Sequence, residues 1–167
     1  MKTVFEKPIE LDNTEWYREL FNDRRNGQNG NKLRTYRLYK HDVKSGPYVL
    51  QNISRFERRT MALLRSGALP LAYETGRYSR SPVPVDDRLC VYCNSGRVEN
   101  ENKMFMECNL YDDLRYNLFF EISKFVDNFH TFDIDTKFVK LMTCLDIQHY
   151  FCNILKKFYF RRKLCSQ

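Results

Sequence analysis

Apolar residues recur at helical spacing along most of the chain, and polar signals mark where each run starts and stops. Asp12-x-x-Glu15 has the form of a capping box, and Trp16, Tyr17, Leu20 and Phe21 follow it. This predicts a helix that stops before Asn26-Gly27-Gln28-Asn29-Gly30, a joint between an N-terminal arm (1–30) and the rest. From Lys32 to Tyr39, the apolar Leu33, Tyr36 and Leu38 interleave with Lys32, Arg34 and Arg37, which fits a helix with an aromatic seam and basic flanks. A loop follows, and Tyr48 to Gln51 form a short turn of helix. Ser54-x-x-Glu57 is a second capping box and opens the cleanest amphipathic helix. At 100° per residue, Phe56, Met61, Leu63, Leu64 and Ala68 share one broad face. Arg55, Arg58, Arg59 and Arg65 fall on the opposite one, and Gly67 and Pro70 limit the run.

The pattern continues past residue 108. Asn109 or Asp112 starts a helix expected to reach Phe129, with Leu114, Leu118, Phe119, Ile122, Phe125, Val126 and Phe129 in one stripe. Arg115 falls inside that stripe, so its cation needs a partner, and Glu74 is the first candidate, ahead of Glu101. A short helix over Thr136–Met142 and a long one over Leu145–Leu164 complete the chain. The predicted fold is mainly α, a multi-helix domain with a small CxxC hairpin or loop. Residues 31–87 form a basic helical segment, 88–116 the cysteine element and 117–167 the C-terminal helices, with 31–167 as one structural unit.

Composition adds compartment and partner. The 167 residues are 43% hydrophobic and 15% aromatic, enough for a buried core. No secretory leader is visible at the start, and no apolar run approaches the roughly 18 residues of a membrane span. Six cysteines spread over this length read as reduced thiols, so the expected location is intracellular, nucleus or cytoplasm. The net charge of +7 is unevenly placed: +7 over 31–88, −4 over 89–155, and five cations without an acid over 156–167. Segregation of this kind points to RNA or DNA as partner. The competing reading is a solvated basic face, and the terminal cations also suit a helix C-terminus.

The sharpest chemistry lies in Arg88–Arg115. Cys90 and Cys93 are separated by two residues, the spacing of a zinc half-site, and Asn94-Ser95-Gly96 supplies a turn just after it. Cys108 follows after fourteen intervening residues and offers a third ligand. A tetrahedral site wants a fourth about one helical turn before Cys108, where Lys103 stands. Glu99, Glu101 or water could complete the sphere. Cys144, Cys152 and Cys165 read as incidental thiols.

Three phrases together resemble the region after the polymerase in reverse transcriptases of LINE-type (non-LTR) retrotransposons. They are Leu63–Tyr78, ending Glu74-Thr75-Gly76-Arg77-Tyr78; Arg88-x-Cys90-x-x-Cys93; and Val98–Tyr111 with Arg115. The resemblance covers roughly 30–165. It implies that Cys90, Cys93 and Cys108 match three ligands of a CCHC zinc element, with Lys103 at the histidine position and Asn109 at that of a proline. Both departures fit a degenerating copy. The aspartates of a polymerase palm are absent. Tyr111-Asp112-Asp113 has the wrong spacing for the catalytic hairpin and sits at a helix start.

Two functional readings follow. The first is a non-catalytic nucleic-acid-binding accessory module, possessing no enzyme activity of its own and working beside a retroelement polymerase. Lys32, Arg34, Arg37, Arg55, Arg58, Arg59 and Arg65 would contact phosphates, and zinc would be the cofactor. The second is a decayed retroelement fragment that serves only as a structural or protein-interaction domain.

Overall fold

The computed structural model describes residues 14–18, 20–21, 33–41 and 46–165. Among these the chain is helical, with one isolated antiparallel bridge, Leu89 to Val98, so the mainly α expectation holds. The helices after residue 33 are α1 (Arg34–Arg37), α2 (Arg55–Ser66), α3 (Ala72–Thr75), α4 (Glu101–Met106), α5 (Asp112–Ile122), α6 (Ile134–Thr143) and α7 (Gln148–Cys165). The first capping box, the glycine joint and Lys32 lie partly or wholly outside the described residues. No helix among the described residues is long and apolar enough to cross a membrane.

Local chemistry sets the helix ends. The Ser54 hydroxyl accepts from the Glu57 N–H at 3.2 Å, while the Glu57 carboxylate accepts from the Ser54 N–H at 2.9 Å. This completes the capping box of α2, and such a cap is worth about 1 kcal/mol. Gly67 ends α2 at φ +74°, and a Cβ there would lie 2.9 Å from the Thr35 hydroxyl. Both the left-handed backbone and the close approach of α1 therefore require glycine. Asn100 caps α4 and Asp133 caps α6, each accepting from the N–H three residues on.

The core is built on the packing of α2 against α7. Met61 and Leu64 of α2 and Phe151, Cys152, Ile154, Leu155 and Phe158 of α7 are all buried. Phe105 of α4 stacks on Phe158 at 4.7 Å and meets Phe151 edge-on at 5.5 Å. Tyr111 stacks on the same Phe158 at 4.7 Å. These rings tie the cysteine element to α7, each burial contributing about 1.5–3 kcal/mol.

Two elements differ from expectation. The helix from Asp112 stops at Ile122, seven residues before Phe129. The backbone turns through Asn128 at φ +55°, and Phe129 comes back to pack edge-on against Phe119 at 5.2 Å. Phe125, expected in the buried stripe, is exposed. The helix expected over Lys32–Tyr39 is the shorter α1.

Candidate functional site

The cysteine element begins where the chain pairs briefly with itself. The Cys90 N–H donates to the Arg97 carbonyl at 3.0 Å, and the Glu99 N–H to that of Arg88 at 2.9 Å. Between them the turn closes through Gly96 at φ +62°. The helix α4 then brings the chain back, and the Cys108 N–H donates to the Lys103 carbonyl at 3.0 Å. The sulfurs of Cys90, Cys93 and Cys108 are thereby gathered within 4.8 Å of one another, all on buried residues. Cys90 and Cys108 are 3.8 Å apart, which is the separation of about 3.8 Å that two sulfurs on ~2.3 Å bonds adopt in a tetrahedral metal site.

The backbone around each sulfur follows one rule. Cys90 receives the N–H of Tyr92, Cys93 that of Ser95 and Cys108 that of Leu110, in each case two residues downstream. Such N–H groups stabilise negative charge on sulfur, as thiolate ligands require. Burial pushes the Cys90 thiol up and pushes Cys108 up to about 12. For Cys93 burial acts in the same direction, but hydrogen bonds from the Ser95 hydroxyl and its neighbours outweigh it and draw the thiol down to about 7. Cys93 is thus the most acidic of the three thiols. The donor set fits a divalent metal that favours sulfur, and the cluster can hold one.

Among the described residues no free ligand fills the fourth position. Lys103 is buried and directs its Nζ to within 3.7 Å of the Glu107 carboxylate. Glu99 Oε1 lies 3.8 Å from the Cys90 sulfur. Its carboxylate, however, accepts from both Nη groups of Arg162 and from the Ala72 N–H at 2.8 Å. Glu101 is held by Arg34 at 2.7 and 2.9 Å.

Arg115 is buried as its place in the stripe implies, but its partners differ from those expected. Its guanidinium donates to the Cys108 carbonyl and, at 2.9 Å, to Asp112. Burial pulls its pKa down, while Asp112 favours its charge. Glu74 instead lies 3.6 Å from Arg34 and 3.5 Å from Arg77. Arg115 sits one helical turn past the Cys108 loop, so backbone carbonyls reach it before the α3 carboxylate can. With a divalent ion on the three cysteines, its cation would offset the extra negative charge of three thiolates.

The chain matches no protein-family model, no curated protein and no solved structure.

The basic residues divide into two groups. Arg55, Arg58 and Arg59 stand exposed at the start of α2, with Arg58 also donating to the Gln51 carbonyl at 3.1 Å. Arg65, expected beside them, is buried. It donates to the Met142 carbonyl at 2.9 Å and lies 4.4 Å from the Tyr39 ring and 5.2 Å from that of Tyr48. The side of α2 that carries Arg65 is covered by Tyr39, Tyr48 and the end of α6, so this position belongs to the core. Arg34 is likewise turned inward, onto Glu101 and over the Tyr73 ring at 4.0 Å. Arg37 is half-buried with its guanidinium 5.7 Å from the Phe21 ring.

Sequence reasoning missed two structural residues beside the cysteines. Arg88 is buried and donates to the carbonyls of Val83 at 2.8 Å and Tyr73 at 2.7 Å, binding the linker to α3. Its place two residues before Cys90 was the available signal. Arg162 reaches Glu99 from 63 residues away, and no local pattern announces that pair.

Proposed function

We propose that the chain is a non-catalytic nucleic-acid-binding module of the kind that follows the polymerase in LINE-type reverse transcriptases, with zinc held by Cys90, Cys93 and Cys108. The observation that carries the reading is the exposed group Arg55, Arg58 and Arg59 on a capped helix whose other face is anchored in the core. Among the described residues no carboxylate forms an ion pair with these three. Three guanidiniums fixed on a rigid element suit phosphate contact, which positions a protein without reading bases. Zinc would be structural, joining the two ends of the cysteine element. A retroelement polymerase is the partner the resemblance suggests. The reading assigns this chain no catalytic step.

A salt titration of oligonucleotide binding tests it. Arg55→Ala, Arg58→Ala and Arg59→Ala together should weaken binding to many sequences alike. They should also reduce the slope of log K against log salt by about 2–3, since each neutralised phosphate accounts for ~0.9. The inward-turned Arg34 and Arg65 favour the second reading, a structural fragment of a decayed element. Unchanged binding by the folded triple variant would decide for that one.

A further inference from the structure

The fold brings a second basic segment to the exposed end of α2. Phe56 of α2 stacks on Phe160 of α7, rings nearly parallel at 5.2 Å, and meets Tyr159 edge-on at 5.5 Å. Arg55 and Arg59 border Phe56 on α2. On α7, Lys156 and Lys163 lie one helical turn before and after Phe160. Lys156 also acts electrostatically on Glu57, so it faces the start of α2. Residues a hundred positions apart thus form one basic surface around a stacked aromatic pair. Phe160 retains 43% of its surface exposed within it.

An exposed ring in a stack has a use beyond charge. Cations alone bind any phosphate backbone, whereas a ring ready to extend its stack takes an unpaired base, since paired bases keep their faces within the duplex. We propose that this surface binds single-stranded nucleic acid, with Phe160 stacking a base and Arg55, Arg59, Lys156 and Lys163 gripping the flanking phosphates. The proposal rests on the nucleic-acid reading above and adds the strandedness of the ligand and the part played by α7. The ring is embedded among cations and is already planar-stacked, which complements a nucleotide strand in both charge and shape. An anionic membrane would share only the charge.

The experiment compares fluorescently labelled rU16 and dT16 with a 16-base-pair duplex, using the full chain loaded with zinc. Phe160→Ala should weaken both single strands at least about fivefold, the lower range of base stacking on an aromatic ring, and leave the duplex unchanged. Phe160→Leu, which keeps an apolar contact for Phe56, should show the same selective loss, and Phe160→Trp should retain binding. Equal affinities for wild type and a folded Phe160→Leu would overturn the inference while leaving the nucleic-acid reading intact. Equal losses on single strand and duplex would overturn it too. Binding of neither oligonucleotide would overturn both readings, as would binding to phosphatidylserine vesicles in place of oligonucleotides.

Discussion

The pair between Glu99 and Arg162 allows a quantitative test of how the cysteine element is held. Glu99 is 2% exposed, and its carboxylate accepts from both Arg162 Nη groups and the Ala72 N–H. Arg162→Ala leaves that carboxylate buried with one backbone donor, which costs about 3–5 kcal/mol. The variant also loses a bond from Nε to the Pro70 carbonyl at 3.2 Å and the packing over the Tyr92 ring at 4.8 Å. Together these add about 1 kcal/mol. For a chain of this size the sum lowers the melting temperature by roughly 8–24 °C, at about 2–4 °C per kcal/mol. Far-UV circular dichroism with saturating zinc reads the loss without confusing it with metal release. Replacing both partners by apolar residues, Glu99→Leu with Arg162→Met, should recover most of it, because the stranded charge is gone. A melt of Arg162→Ala within about 2 °C of wild type would refute the argument, since even 1 kcal/mol shifts it that far.

Lys103→His should raise zinc affinity, read by competition with a chromophoric chelator, because it replaces a cation with the fourth ligand that a tetrahedral site lacks. No gain would mean that residue 103 is not beside the fourth position. Zinc affinity should also weaken as pH is lowered. Below neutrality roughly three thiol protons must leave on binding and above it roughly two, since Cys93 sits at about 7 while burial keeps Cys90 and Cys108 protonated. Kd should therefore rise by about two to three decades for each unit that pH falls. A flat profile between about pH 6 and 8 would count against thiolate ligation. Arg115→Ala should destabilise the fold by about 1.5–3 kcal/mol, the loss of charged hydrogen bonds to Cys108 and Asp112, and should weaken zinc binding as well. An unchanged metal titration would leave Arg115 with packing alone.

What the sequence revealed was chiefly what short-range spacing determines. The capping box at Ser54 and the two-residue gap between Cys90 and Cys93 each involve neighbours in the chain, and both appear in the structure as read. Cys108 is legible because one short helix returns the chain to the pair. Arg65 is misplaced by periodicity, which describes one helix in isolation, while Tyr39, Tyr48 and Met142 cover it from elsewhere. The partner of Arg115 escapes because charge pairing draws attention to carboxylates, and the group that meets it includes a backbone carbonyl carrying no sequence signature. The end of α5 is hidden because the apolar rhythm runs on through Phe125 although the backbone reverses near Asn128.

The long span between Glu99 and Arg162 has a consequence for synthesis on the ribosome. Glu99, the turn before it and the three cysteines all emerge well before Arg162, which follows Glu99 by 63 residues. During that interval the carboxylate lacks its main partner, and the rings of Phe151 and Phe158 that close over Phe105 are still unmade. The nascent cysteine element therefore lacks these contacts until α7 is complete. The three thiols are therefore made, and free to meet a metal ion, before the last helix docks on the element that carries them.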